Sequence, residues 1–292
     1  MSYHKISPAL QINYTVHNPS SSLGHSKPWI ILINGLADPQ TTWVTQISTF
    51  TEAGYTVLTY DNRGIGLSSR PSSPNELWTA DNMASDLRSL VLALKVPTPY
   101  HILGISMGGM IAQQYALRYG LSSSSEILSL NPTCTYAAPG PFCSRMFCLW
   151  GDMARRMSIA DVMRDVLLYC FTPAWFADPA KQDELKAIEA EMAAVDKDMG
   201  LDAYLAQLNV ITEFDTRHQV GKLAEVGMHV NVIAGEGDIL IPNILSRELH
   251  SLIPGSRWRT VTGGHACNWE FPDEFNQVCL EEFKIAEEKL AS

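Results

Sequence analysis

A serine bracketed by glycines stands at Gly104-Ile105-Ser106-Met107-Gly108, directly after the apolar segment 100–103 and directly before a helical pattern that runs to Tyr119. A strand that turns sharply into a helix around a serine forms a nucleophile elbow. The turn strains the serine backbone, and any side chain at 104 or 108 would crowd the strand and helix that meet there, so both positions call for glycine. The spacing predicts that Ser106 projects its hydroxyl from the top of a sheet. The N–H of Met107, at the helix N-terminus, points into the same space, where a developing oxyanion is stabilised.

A serine hydroxyl is a weak nucleophile near neutral pH; it needs a base, and the base needs a group to orient it. Eight histidines compete for the role of base. His265 sits in Gly263-Gly264-His265-Ala266, directly after the last expected strand, and a histidine in a glycine-rich loop at a strand's C-terminal end reaches the sheet top. The others lie in the N-terminal region (His4, His17, His25), inside a strand (His101), or on or beside expected elements (His218, His229, His250). The acid is expected after an earlier strand. Residues 229–234 are followed by Gly235-Glu236-Gly237-Asp238, and Asp238 is the expected carboxylate with Glu236 as its competitor. Ser106, Asp238 and His265 then follow the chain order Ser…Asp…His. The second oxyanion donor is expected from the loop at 34–38, where Gly35 permits a close turn and the N–H of Leu36 is the candidate. Asn34 and Trp43 are expected beside the substrate, with Trp43 closing the back of the pocket or packing as an ordinary helix residue on the sheet.

Elements must position these groups. Residues 9–16 alternate as a strand, 29–34 (WIILIN) form an apolar run suited to a strand buried on both faces, and 55–60 read as the next strand. Residues 42–52 read as a helix. The glycine-rich turn 61–66 has no lysine and no following helix, which makes it structural punctuation and not a phosphate loop. A helix is expected over 79–95, with Thr79 as its cap, Asp81 in its first turn, and Met83, Leu87, Leu90, Val91 and Leu94 on one face. The strand at 100, the nucleophile helix and a short strand at 127–130 follow. Strands resume at 229–234 and 257–261, and a last helix from Pro272 carries Phe275, Cys279, Phe283, Ala286 and Leu290 inward. Alternating strands and helices imply a parallel sheet with helices on both faces. Residues 20–26 and 122–125 read as surface loops.

The alternation stops at Asn131-Pro132, and from 134 to about 215 helical stripes replace strands. Six of the eleven methionines fall in this segment together with Phe142, Phe147, Trp150, Tyr169, Phe171, Trp175 and Phe176. Most are expected in helix cores, but a Met- and aromatic-rich helical insertion also suits an adaptable apolar cover over a site. Phe142, Phe147, Trp150 and Met153 enter it nearest the sheet top and are the expected substrate contacts. Leu185, Ile188, Met192, Val195 and Met199 form a stripe opposite a continuous polar face, so that helix is expected to be structural, with a solvated outer side.

The 292 residues, 46% apolar and 18% charged, suit a globular chain with a substantial core. A formal charge of −10 and the lack of a basic run argue against nucleic acid or an anionic membrane as partner. No apolar stretch approaches the roughly 20 residues of a membrane span. The N-terminal residues lack the apolar core of a secretory signal, so a cytoplasmic location is expected. The six cysteines show no Cys-x-x-Cys spacing, which leaves no expected metal site and makes buried free thiols the expectation.

The segments LINGLADPQTTW (32–43), YDNRGIGLSSRP (60–71), GISMGGMIAQQYAL (104–117), VIAGEGDILIP (232–242) and GGHACNWEFPDEFN (263–276) resemble the α/β-hydrolase superfamily over essentially the whole chain. The resemblance is to the small, cofactor-free branch of carboxylesterases, enol-lactonases and C–C bond hydrolases. Asn34 departs from the histidine common there, but the donor at that position is a backbone N–H. The resemblance implies an α/β-hydrolase core over 1–133 and 216–292, a helical cap over 134–215, no cofactor, and a small-molecule ester or lactone as substrate. It excludes relatives with aspartate at the elbow. Cleavage of a C–C bond next to a ketone, a perhydrolase side activity, and a triad-bearing small-molecule receptor remain as alternatives.

Overall fold

The computed structural model describes residues 2–20, 27–73, 75–121, 126–226 and 228–291. Its strands are β1 (Ser2–Lys5), β2 (Gln11–His17), β3 (Trp29–Ile33), β4 (Thr56–Tyr60), β5 (Tyr100–Ile105), β6 (Ile127–Thr133), β7 (His229–Gly235) and β8 (Arg257–Val261). They form one sheet in the order β1-β2-β4-β3-β5-β6-β7-β8. β1 and β2 are antiparallel to each other and β2 is antiparallel to β4, while β3 to β8 run parallel. The helices are α1 (Val44–Glu52), α2 (Ala80–Leu94), α3 (Met107–Tyr115), α4 (Pro141–Ala154), α5 (Ile159–Cys170), α6 (Pro173–Ala177), α7 (Gln182–Asp198), α8 (Leu201–Thr212), α9 (Asn243–Leu252), α10 (Cys267–Glu270) and α11 (Pro272–Ala291).

Successive side chains of a strand point to opposite faces, and β3 shows why its run is unbroken. Ile30 and Leu32 pack with Phe50 of α1 and Phe275 and Phe283 of α11. Ile31 and Ile33 pack on the other face with Met83 and Leu87 of α2 and Ile111 of α3. Both faces of the sheet are therefore covered. Thr79 caps α2 in a reciprocal box with Asn82, and Met83, Leu87, Leu90 and Val91 are buried on the expected face. The turn after β4 is held by its own polar contacts: Arg63 pairs with Asp86 at 2.6 Å, and Asp61 accepts the N–H groups of Gln40 and Leu67.

Between β6 and β7 the chain forms α4 to α8, and no described residue there is strand. In this segment α4 packs on α5 and α8, and α5 packs on α7.

Several expectations are corrected. β1 was not anticipated; it is a short edge strand whose four residues are mostly exposed and carry little apolar pattern. β6 runs on to Thr133, because a strand paired with β5 through Gly104↔Pro132 and Ile105↔Thr133 tolerates the proline. The helix expected at 42–52 opens as a 3-10 turn (Gln40–Trp43) before α1. Leu290 is 62% exposed at the end of α11, beyond the sheet. Cys148 is exposed on α4; the six thiols are all free. The loop expectations at 21–26, His25 among them, and at 122–125 fall outside the described residues.

Phe283 anchors the α1–α11 layer. It is fully buried, with ring centroids 5.5 Å from Phe50, 5.9 Å from Tyr55 and 4.6 Å from His101. Phe283→Ala is expected to lower unfolding stability by about 3–5 kcal/mol, the range for emptying a buried phenylalanine site. Urea unfolding followed by circular dichroism checks this; a loss under about 1 kcal/mol would show that the layer repacks.

Candidate active site

In an open parallel sheet, ligands bind beyond the strand C-termini where the strand order reverses. Here that point lies between β3 and β5, since the chain leaves β3 for β4 on one side and returns to β5 on the other. Two loops meet at it: residues 34–39 after β3 and the Ser106 turn after β5.

Ser106 has φ 56° and ψ −121°, a conformation rare for a side chain other than glycine. The turn is clamped from several sides. Ser106 N–H donates to Thr133 O at 2.9 Å, and Ser106 O accepts from Gly109 N–H at 3.0 Å and Thr135 Oγ1 at 2.9 Å. A Cβ at Gly104 would strike the Gly108 backbone, and one at Gly108 would strike the carbonyls of Ile33 and Asn34. Both glycines are thus required by close approach, as the sequence implied. Gly35 has a different role from the close turn expected of it: the positive φ in that loop belongs to Ala37, at 55°. A Cβ at Gly35 would lie 3.4 Å from Ser106 Cβ and 3.9 Å from its Oγ, over the hydroxyl.

His265 and Asp238 meet. Nδ1 of His265 lies 2.9 Å from Asp238 Oδ2, and Asp238 Oδ1 accepts the Ile241 N–H at 2.9 Å. Since a carboxylate only accepts, Nδ1 carries the proton and Nε2 is left as the basic nitrogen. Both residues are nearly enclosed, 7% and 5% exposed. Glu236 is exposed instead, and its Oε1 accepts from Thr260 Oγ1 at 3.1 Å. Ser106 and His265 line one cavity of about 300 Å³, and among the described residues no hydrogen bond joins them directly. Leu36 lines the same cavity, Met107 follows the serine, and among the described residues neither of their amides donates a hydrogen bond.

The other expected contacts divide. Phe147 and Trp150 are in the cavity wall. Phe142 is 52% exposed and Met153 is half-buried against the core, neither of them in the wall. Helical geometry explains the split, because Cys143, Phe147, Trp150 and Ala154 make the inward stripe of α4 and Phe142 opens its outer face. Trp43 and Asn34 are also outside the wall. The Trp43 indole donates to Asn34 Oδ1 at 2.8 Å, which turns the ring into the core beside Phe50. Asn34 Nδ2 faces Asp38 Oδ2, Pro39 O and Thr42 Oγ1 at 2.8–3.1 Å, so Asn34 shapes the loop from behind. The helix expected to be only structural sends Glu191 and Val195 into the wall.

Other residues support or border the site with weaker signals in the sequence. Gln207 of α8 is fully buried, accepts the Ala37 N–H at 2.9 Å and donates to Arg63 O at 2.8 Å. A glutamine inside an apolar helix needs such partners, and that was its available signal. Glu270 accepts Thr172 N–H at 2.7 Å, Thr172 Oγ1 at 2.8 Å and the Gly264 N–H, binding the segment after α5 to the His265 loop. Asp38 opens onto the cavity; burial pushes its carboxyl up to about 6, partly offset by hydrogen bonds from Asn34, Thr42 and the Gly35 backbone. Cys134, with φ 46°, brings its thiol within 4.8 Å of the paired Asp238 and His265 atoms and 3.8 Å from Cys267 Sγ. This is the one three-donor cluster among the described residues. Its carboxylate and imidazole are already bonded to each other, which leaves a poor donor set for a metal.

The comparisons with known proteins bear on the fold. Residues 28–151 match the family model described as the alpha/beta hydrolase fold. An Escherichia coli O139:H28 protein named a carbamate hydrolase (RutD) is 28% identical over 257 residues, spanning 87% of this chain and 90% of that one. The enol-lactonase of Burkholderia xenovorans LB400 superposes with a TM-score of 0.80 at 23% identity, over 97% of this chain and 100% of that one. A thermophilic esterase of Thermogutta terrifontis gives 0.73 at 18% identity, over 95% and 94%. At such identities the structural likeness establishes the fold, an α/β-hydrolase fold with a mostly parallel eight-stranded sheet and flanking helices.

Removal of the Glu270 carboxylate would leave three buried or half-buried donors unpaired. Glu270→Ala is expected to cost about 2–4 kcal/mol, and Glu270→Gln less, because its amide oxygen still accepts. Chemical denaturation of both variants checks this; equal stability of Glu270→Ala and the parent chain would refute the clamp.

Proposed function

We propose that this chain, which belongs to the α/β-hydrolase superfamily, is a serine hydrolase opening an ester or lactone of a small to medium, largely apolar substrate. The observation that carries the reading is the convergence on one cavity of a serine at a strained elbow and a histidine whose far nitrogen is tied to a buried carboxylate. In this reading, rotation of Ser106 between staggered positions brings Oγ to Nε2 of His265. His265 takes the hydroxyl proton as Oγ attacks the carbonyl carbon. Asp238 keeps the imidazole in the required tautomer and stabilises the imidazolium. The amides of Leu36 and Met107 receive the oxyanion, each donor being worth about 3–4 kcal/mol in such sites. The imidazolium returns the proton to the departing alkoxide. Water then attacks the acyl-enzyme with His265 as base, and Ser106 regains its proton.

The apolar wall formed by Phe147, Trp150, Met163, Val166 and Leu167 supports an apolar acyl or alcohol portion. We assign residues 134–215 to a cap that shapes this wall, and the rest of the chain to the core domain. Carbamates, named for the Escherichia coli relative, are carboxyl derivatives open to the same attack.

Ser106→Ala is expected to fold normally and to lose nearly all turnover of an aryl ester, while a fluorophosphonate labels only the parent chain. Normal turnover by the alanine variant would sink the reading.

Asp238→Asn is expected to reduce kcat on the order of a thousandfold or more by favouring the wrong imidazole tautomer. Glu236→Gln should have little effect. A larger loss in Glu236→Gln than in Asp238→Asn would assign the acid to the wrong carboxylate.

A further inference from the structure

The cavity wall is apolar except at a few points, and its charged chemistry has one sign. Asp38, half-buried, stands on the loop that carries the Leu36 amide, and Glu191, an exposed residue of α7, borders the cavity. Among the described residues that line the cavity there is no Lys and no Arg. The groups facing Asp38 are Glu191 from α7, the Cys170 thiol from α5 and, in the same wall, His265 from the loop after β8. None of them is a fixed cation.

We propose that this cavity selects uncharged substrates and rejects those bearing a carboxylate, with Asp38 and Glu191 as the selecting residues. The inference rests on the hydrolase reading for its catalytic arm and names the substrate class of the same site. An apolar wall by itself penalises either sign of charge, since both lose hydration. Two carboxylates break that symmetry. They repel a carboxylate that enters with the substrate and attract an ammonium of the same size. A like charge about 8 Å away, in surroundings of effective dielectric near 20, disfavours binding roughly thirtyfold. Asp38 also gives the selection a pH dependence. Burial raises its carboxyl to about 6. Below that it is neutral and repels little; above it, ionised, it repels fully. The preference for uncharged over anionic substrates therefore rises as pH increases through 6. A ratio of two substrates cancels the titration of the shared base.

The test uses three nitrophenyl esters of matched length: hexanoate, the mono-ester of adipate with a free terminal carboxylate, and 6-aminohexanoate with a terminal ammonium. The kcat/KM ratio of hexanoate to the adipate mono-ester is measured from pH 5.5 to 8 for the parent chain, Asp38→Asn and Glu191→Gln. The expected parent ratio is at least about thirtyfold at pH 8, falling toward pH 5.5, with the ammonium ester preferred over the carboxylate ester. Asp38→Asn should lower the ratio by up to about thirtyfold, the share of one like charge, and flatten its pH dependence, and Glu191→Gln should lower it less. A purely structural role for Asp38 would change kcat for all three esters and leave the ratio intact. Equal rejection of both charged esters, with a ratio unmoved in either variant, would overturn the proposal in favour of exclusion by the apolar wall alone.

A binding arm separates this inference from the catalytic one. Calorimetry on Ser106→Ala compares hexanamide, the mono-amide of adipate and 6-aminohexanamide. Weakest binding of the carboxylate ligand, relieved in the Ser106→Ala, Asp38→Asn double variant, supports the proposal even if no ester is turned over. Equal binding of the carboxylate and uncharged ligands refutes it even if ester hydrolysis is fast.

Discussion

The backbone of Ser106 is held at φ 56°, ψ −121° because three segments converge there with no room for a β-carbon at the flanking glycines. Gly104 lies against the Gly108 backbone, and Gly108 lies against the carbonyls of Ile33 and Asn34. This contact sets how closely α3 can approach β3 and β5. It therefore sets where the Met107 amide and the Leu36 amide stand relative to the hydroxyl. Close packing of backbone on backbone stores the strain, and the hydrogen bonds to Thr133, Gly109 and Thr135 hold it in place.

The inserted helices are fastened to the sheet by a small number of buried polar clamps. Gln207 joins α8 to the Ala37 and Arg63 backbones, Glu270 joins Thr172 to the Gly264 loop, and Ala266 N–H donates to Cys170 O at 2.9 Å. Within the insertion, the Trp150 indole donates to Asp165 at 2.9 Å. Such bonds add little net stability each, but a buried donor left without its partner is costly. They consequently fix the register of the two layers, and with it the shape of the cavity between them. In the proposed reading, the apolar side chains select the size of the substrate and the carboxyls at the wall select its charge.

Backbone chemistry was legible where one residue type has one physical use. The glycines around Ser106, the cap at Thr79 and the unbroken run of β3 all read correctly, because each answers a local constraint of space, hydrogen bonding or burial. The His265 loop after β8 and the Asp238 turn after β7 read from their position after strands, and the carboxylate–imidazole bond joins them. Side-chain direction was less legible. Trp43 and Asn34 flank the right loop, yet they satisfy each other behind it and leave the wall to Asp38, which carried no distinguishing neighbour in sequence. Phe142 belongs to an aromatic-rich helix but falls on its outer stripe.

The sequence by itself determined the order of the strands from β2 onward, the strand–turn–helix around Ser106, the placing of His265 and of two candidate carboxylates after strands, and the lack of strands over 134–215. These depend on periodicity and on backbone requirements within a few residues. Only the tertiary structure decided that Asp238 and not Glu236 meets His265, that Glu191 of an apparently solvated helix reaches the cavity, and that Gln207 and Glu270 bind the layers together. These depend on how helices far apart in the chain are turned about their own axes when they pack. A single sequence constrains that rotation only through the sum of many weak contacts, so it becomes visible when the layers are assembled.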